Sequence, residues 1–152
     1  MKNFLLASVA VLTFNAWAQP SVKVEDAWVR GTVAQQKATG AFMRLTAQRD
    51  VRLVTASSPV AGVVEIHEMS MDKGVMRMRA ISGLDLPAGR TVEFKPGGYH
   101  VMLLDLKAPV TADQQVPLML VFEAQGGQRE QVDLKLPARA LGAAAMGQAH
   151  QH

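Results

Sequence analysis

The sequence predicts an all-β domain, an antiparallel sandwich or barrel, from three observations. Short apolar segments recur along the chain, and clusters of Gly, Pro, Asp and Ser separate them. Polar and apolar residues alternate within the segments: in Thr91–Lys95, Val92 and Phe94 face one way and the polar residues the other. No segment before the C-terminal tail has a helical period. Many short strands at this spacing are typical of a sandwich or a barrel.

The first residues have the pattern of a secretory signal peptide. A positively charged start is followed by an apolar run at Phe4–Phe14 and by a small-x-small cleavage site that ends at Ala18. The apolar run is too short to span a bilayer as a helix. We therefore expect residues 1–18 to be removed and residues 19–138 to form one domain in the periplasm. The alternative is an N-terminal membrane anchor that stays uncleaved.

Composition excludes several classes of partner and site. The net charge of +3 falls to +2 once Lys2 is removed, and the basic residues are scattered, so we expect no nucleic-acid partner. No second apolar segment is long enough to cross a membrane. The chain has no cysteine, which excludes thiol redox chemistry and thiolate metal sites. We expect a monomer without a membrane span after signal cleavage.

The strands of the domain follow one another with turn residues between them. Turn chemistry is clearest at Ser57–Pro59, Asp72–Gly74, Leu86–Gly89, Lys95–Gly98 and Gln125–Gly127. The predicted strands are, in order, Val22–Arg30, Ala41–Ala47, Val51–Ser57, Val63–Ser70, Val75–Ile81, Thr91–Lys95, Tyr99–Lys107, Val116–Glu123 and Glu130–Leu134.

The C-terminal residues differ in composition from the domain. They are mostly small residues with little to pack, so we expect residues 139–152 to form a flexible tail. A short alanine-rich helix is the alternative. The tail contains Met146, His150 and His152, which are candidates for an accessory metal site, because two His separated by one residue can bind Cu(II) or assist transfer of an ion.

Two His-x-Met pairs are the candidate functional residues of the domain. His67 precedes Met69 by two positions, and His100 precedes Met102 by two positions. Residues i and i+2 share a face of a strand, so each pair projects together. If Asp72–Gly74 forms a hairpin, Met76 or Met78 returns beside His67 or Met69.

The ligand types favour copper over other metals. Thioether sulfur is soft and favours Cu(I), whereas zinc sites rarely use Met. A blue-copper electron carrier needs a Cys thiolate, which this chain lacks. We therefore expect carriage or storage of copper and no enzymatic activity.

Several further residues have open roles. Met43 and Met119 lie on apolar strands, where core packing is the expected role. Met69, Met71 and Met76 remain open between accessory ligation and packing. Glu65, Glu68 and Asp72 are expected on the surface, with ligation or support of a ligand as the alternative.

The spacing of the ligands resembles the periplasmic copper chaperones for the binuclear copper A centre of cytochrome c oxidase, the PCu(A)C-type family. The family pattern is His, ten residues, Met, twenty-one residues, His, one residue, Met, and His67, Met78, His100 and Met102 match it without a gap. The resemblance covers Val22 to Leu136. It includes the Asp-Ala-Trp-Val-Arg segment that ends at Arg30 and the Pro-Gly-Gly-Tyr-His segment that ends at His100.

The resemblance implies a cupredoxin-like Greek-key β-sandwich with Cu(I) near the surface. It implies His67, Met78, His100 and Met102 as ligands and so selects Met78 over Met76. It also implies delivery to the oxidase subunit that carries the copper A site, alongside a thioredoxin-like copper chaperone. Two rival hypotheses are a periplasmic copper buffer without a dedicated acceptor and a metal-free β-sandwich interaction module whose Met residues form core.

Overall fold

The computed structural model describes residues 20–142. The predicted signal peptide and the candidate tail ligands Met146, His150 and His152 lie outside the described residues. Among residues 20–142 there is no helix long and apolar enough to cross a membrane. This part of the chain consists of strands: β1 (Val22–Arg30), β2 (Ala38–Ala47), β3 (Val51–Ser57), β4 (Ala61–Asp72), β5 (Val75–Ile81), β6 (Leu84–Leu86), β7 (Thr91–Phe94), β8 (His100–Leu106), β9 (Gln115–Ala124) and β10 (Arg129–Arg139).

The strands form two layers that are joined through β10. One layer has the order β5-β4-β8-β2-β1, with β7 also paired to β2, and the other has the order β10-β9-β3-β6. β10 pairs antiparallel with β9 along Arg129–Pro137, and its end pairs parallel with β1 through Val29↔Ala138. The predicted all-β sandwich is thereby confirmed.

The core lies between the two layers. Leu45 and Leu103 from the first layer, and Leu53, Leu120 and Phe122 from the second, are essentially inaccessible to solvent and belong to one cluster. Alternation along β8 explains how this core positions the site. Because successive side chains of a strand point to opposite faces, burying Val101 and Leu103 inward directs His100 and Met102 to the outer face of the first layer.

Strand β10 is longer than the predicted Glu130–Leu134. It continues to Arg139 because Leu136 and Ala138 are buried in the core and because the Arg139 carbonyl accepts a hydrogen bond from the Gly31 N–H. The short strand β6, which the sequence analysis did not predict, pairs with β3 and buries Leu86.

The two methionines that were predicted to lie in the core differ in burial. Met43 is 1% exposed, as predicted. The prediction for Met119 is wrong, because Met119 alternates with the buried Leu118 and Leu120 on β9 and is therefore only half-buried on the other face.

Candidate metal centre

A tight hairpin between β4 and β5 sets the first half of the site. Lys73 and Gly74 both have positive φ angles, 49° and 79°, as a two-residue type I′ turn requires. The predicted hairpin is confirmed, and its register is Met69↔Met78 and Met71↔Met76. The turn therefore places Met78, rather than Met76, opposite the methionine of the first His-x-Met pair.

The second half of the site comes from β8, which pairs with β4 on the side away from β5. His67 and His100 are directly opposed across this pair, and Met102 is opposed to Glu65. The two imidazole rings approach edge to face, with centroids 5.4 Å apart and an interplanar angle of 62°. Directly opposed residues project from the same face of a sheet, so β4, β5 and β8 present all four predicted ligands on one surface.

The shortest contact between predicted ligands joins β5 to β8 across β4. His100 Nε2 lies 2.9 Å from Met78 Sδ. His100 is 6% exposed, whereas Met78 is 49% exposed. His100, Met69, Met78 and Met102 line one cavity of about 250 Å³. The site therefore runs from a buried imidazole to a thioether at the surface.

The partner of each histidine determines which ring nitrogen carries a lone pair. His100 Nδ1–H donates to the Gly98 carbonyl at 3.1 Å, which leaves Nε2 as the unprotonated nitrogen facing Met78. His67 Nε2–H donates to the Glu65 carboxylate at 2.6 Å, so in the neutral ring the lone pair is on Nδ1. His67 Nδ1 is buried and has no hydrogen-bond partner among the described residues. In metal sites the hydrogen bond of one ring nitrogen orients the other toward the ion, and each histidine here has one hydrogen-bonded ring nitrogen.

The donor atoms fit a soft monovalent cation. Imidazole nitrogens bind a metal in their neutral form, the thioethers of Met78 and Met102 are also neutral, and thioethers favour Cu(I). A buried polar atom without a partner costs about 1–3 kcal/mol, so the unpartnered His67 Nδ1 disfavours the site without a ligand. Across residues 20–142, no group of three His, Cys, Asp or Glu side chains could hold a metal.

Burial keeps His100 in the form that can bind a metal. Desolvation lowers the pKa of His100 below its ordinary value, and the positive charges of His67, when protonated, and Arg30 lower it further. The hydrogen bond to the Gly98 carbonyl opposes this effect but does not reverse it. The His100 imidazole is therefore neutral at neutral pH.

Aromatic and guanidinium groups from β1, β2 and β10 form a wall beside the site. The Phe42 ring lies 6.4 Å from the His100 ring and 4.7 Å from Trp28. Arg30 covers Phe42 with its guanidinium carbon 5.3 Å from the ring centroid, and Arg139 covers Trp28 at 4.8 Å. This wall covers His100 on the side facing β2 and leaves the Met78 side open.

The remaining predicted residues divide between the site and its surroundings. Met69 lines the cavity, whereas Met71 and Met76 lie beyond it on the hairpin and are 66% and 47% exposed. Asp72 is exposed, as predicted, and Glu68 is partly buried; each forms an ion pair with an arginine of β5.

Two contributors to the site were weakly predicted or missed. For Glu65 the surface was the expected place and support of a ligand the alternative, and the structure favours the alternative because Glu65 shares a face with His67 and accepts its Nε2–H. Phe42 has no local signal, because its contact with His100 depends on the pairing of β2 with β8.

Comparison with known proteins gives matches over most of the domain. A family model described as "Putative lipoprotein LpqE-like" matches residues 22–136. A relative from Leifsonia xyli, named as a lipoprotein, is 35% identical over 102 residues, which are 66% of this chain and 61% of the relative. The chain thus spans less than two thirds of that relative's length.

Two solved structures resemble the fold. The Cu(I) form of DR1885 from Deinococcus radiodurans is 25% identical, with a TM-score of 0.56 over 84% of this chain and 83% of that one. The apo PCuAC domain of PmoF2 is 24% identical, with a TM-score of 0.63 over 83% of this chain and 95% of that domain.

Proposed function

The chain belongs to the LpqE-like family, and on that premise we propose that it is a periplasmic Cu(I) carrier. It binds one ion through His67 Nδ1, His100 Nε2 and the thioethers of Met78 and Met102. Its role is to carry the ion, and it catalyses no reaction. Its PCuAC-type fold agrees with the resemblance noted in the sequence.

The contact between His100 and Met78 carries this proposal. The proton of the His100 ring is used at Nδ1 by the Gly98 carbonyl, so Nε2 and Sδ face each other at 2.9 Å with a lone pair on each and no proton between them. Two lone-pair donors repel each other unless a cation binds both. A thioether and an imidazole are also the ligands that Cu(I) accepts readily.

The graded exposure of the ligands suits a carrier. His100 is buried and held by the Gly98 carbonyl, whereas Met78 is half-exposed on an edge strand. An incoming ligand can therefore replace the Met78 sulfur first, while the imidazoles still hold the ion. Because the ligands are neutral, the bound Cu(I) keeps a charge of about +1. A thioether has no proton to gain or lose, so exchange of the Met78 sulfur involves no proton transfer.

Two comparisons support the proposed binding of Cu(I) and the proposed periplasmic location. The Cu(I)-bound form of DR1885 shares the fold at 25% identity. The signal-like N-terminus accords with export, as does the lipoprotein name of the Leifsonia relative.

The acceptor that we propose is the copper A site of the cytochrome c oxidase subunit. A thioredoxin-like chaperone with Cys ligands would act alongside, and the tail with Met146, His150 and His152 would hold an additional Cu(II). The carrier would act as a monomer.

Anaerobic mixing of the Cu(I)-loaded protein with an apo copper A domain tests this function. We expect the copper A domain to acquire copper from the wild type but not from His67→Ala/His100→Ala protein given the same copper. Retention of all Cu(I) by the wild type would contradict delivery. In a deletion strain at limiting copper, unchanged oxidase activity with raised copper sensitivity would favour a copper buffer instead.

The metal-free interaction module agrees less well with the structure. That hypothesis places the methionines in the core, but Met71, Met76 and Met78 are all 47% exposed or more. Metal analysis of protein purified in the presence of copper distinguishes it, because such a module would retain none.

A further inference from the structure

The β4–β5 hairpin beyond the candidate centre has two chemically different faces. One face carries the opposed pairs Met69↔Met78 and Met71↔Met76. The other face is ionic: Arg79 Nε lies 2.6 Å from a Glu68 oxygen, and Arg77 Nε lies 3.2 Å from Asp72. Thioethers and charges are thus separated on this ribbon of two strands.

The outer methionine pair, Met71 and Met76, lies outside the hydrophobic core of the described residues. Met71 is 66% exposed and Met76 is 47% exposed, and β5 is the terminal strand of its layer. Exposed apolar side chains lose the free energy of burial, about 1.5–3 kcal/mol for a methionine-sized group. The opposite face of the tip also exposes an apolar side chain, Val75 at 55%, but only the outer methionine pair offers donor atoms for a soft metal.

The register brings the two outer sulfurs within reach of one ion. Directly opposed residues of an antiparallel pair have Cβ atoms about 4.5–5.5 Å apart, and Met has three rotatable bonds beyond the backbone. Met71 and Met76 can therefore converge on a cation without moving the backbone. The next pair inward is Met69↔Met78, and Met78 Sδ already contacts His100 Nε2.

We propose that Met71 and Met76 form a second Cu(I) site, built only of thioethers, at the tip of this hairpin. The inference rests on the proposed function, because it assigns this pair as the point where Cu(I) enters and leaves the main site. The ion moves from the outer pair to Met69 and Met78 by exchange of neutral ligands. No electron or proton is transferred in any of these steps.

This outer site differs from the main site in two measurable ways. It has fewer ligands and is exposed, so it binds Cu(I) more weakly. Its thioethers do not titrate. Its affinity for Cu(I) should therefore stay constant over the pH range in which the imidazoles of the main site become protonated.

An anaerobic Cu(I) titration of the full chain carrying ¹³C-methyl methionine tests the inference. We expect the first equivalent to shift the methyl signals of Met78 and Met102 and the second to shift those of Met71 and Met76. In the Met71→Leu/Met76→Leu variant, which keeps the size and hydrophobicity, the first equivalent should bind unchanged. Release of Cu(I) to a chelator should slow several-fold in this variant, while the Met119→Leu control, on the other layer, should behave as the wild type.

The outcomes separate the two proposals. If the first equivalent leaves Met78 and Met102 unshifted, the main site and the proposed function fail. If the first equivalent behaves as expected but excess Cu(I) leaves Met71 and Met76 unshifted, or shifts only Met146, the outer site alone is refuted. Unchanged release from the double leucine variant would contradict its role in exchange.

Discussion

His100 Nε2 lies 2.9 Å from Met78 Sδ, although the two residues are on strands separated by β4. The contact is possible because Met78 is long enough to reach over the face of β4 and because His100 is held by Gly98 with its unprotonated nitrogen facing outward.

Removing the buried imidazole should weaken the site most. We expect His100→Ala to lower Cu(I) affinity by more than about tenfold, since the variant loses a ligand and not merely a supporting group. Competition with a Cu(I) chelator measures the change. The milder Met78→Leu variant should also weaken binding while preserving the fold. Unchanged affinity in both variants would show that the site is assigned wrongly.

Glu65 should act as a positioning residue for His67. Its carboxylate accepts the His67 Nε2–H and so selects the neutral tautomer whose lone pair is on Nδ1. We expect Glu65→Ala to lower Cu(I) affinity by about 10- to 100-fold, the usual range for loss of such a partner. Glu65→Gln should retain more affinity, because its amide oxygen can accept the same bond.

The ¹⁵N chemical shifts of His67 provide a readout that a purely structural role would not change. In Glu65→Ala, the apo protein should show a mixture of ring tautomers, whereas the wild type should show protonation at Nε2. Equal tautomer populations in both proteins would rule out the positioning role.

The pH dependence should follow the lowered pKa of His100. Burial lowers that pKa below its ordinary value of about 6.5, so the imidazole remains neutral as pH falls through 6.5. As pH falls, His100 is protonated in the unfolded chain before it is protonated in the folded domain. The apo domain should therefore lose stability as pH falls from about 6.5 toward the folded pKa and should be insensitive to His100 above 6.5.

An NMR titration of the His100 ring in the apo protein checks this shift. We expect its midpoint below 6.5, so that protons compete with Cu(I) at this nitrogen only in acid. A midpoint at or above 6.5 would mean that desolvation does not dominate at this position.

The tail should matter for Cu(II) but not for the main site. Strand β10 continues to Arg139, which accepts a hydrogen bond from Gly31, so a test truncation should begin after Gly142. We expect deletion of residues 143–152 to leave Cu(I) affinity unchanged and to remove Cu(II) binding. Cu(II) binding that survives the deletion, measured by titration at neutral pH, would exclude a tail site.

Much of the site could be predicted because its signals are local. Strand periodicity alone pairs His67 with Met69 and His100 with Met102, and the turn at Lys73-Gly74 predicts a hairpin. Periodicity could not choose between Met76 and Met78. The register places Met78 opposite Met69, and Met78 Sδ lies 2.9 Å from His100 Nε2, which supports the choice of Met78.

The features that sequence reasoning missed depend on contacts between distant segments. The opposition of His67 and His100 requires β8 to pair with β4, and the wall at Phe42 requires β2 to pair with β8. The predicted strand ends at Leu134, whereas β10 continues because Leu136 pairs with Val116 of β9 and Ala138 pairs in parallel with Val29 of β1. No pattern among neighbouring residues in the sequence predicts such pairings between distant strands.

X-ray absorption at the copper edge of the full chain, loaded anaerobically with one equivalent of Cu(I), tests the central claim most directly. The account predicts a Cu(I) edge and an inner shell containing two imidazole nitrogens and two thioether sulfurs, with one sulfur fewer in Met78→Leu. A shell of nitrogen and oxygen alone, or the same sulfur content in Met78→Leu and Met102→Leu as in the wild type, would contradict it.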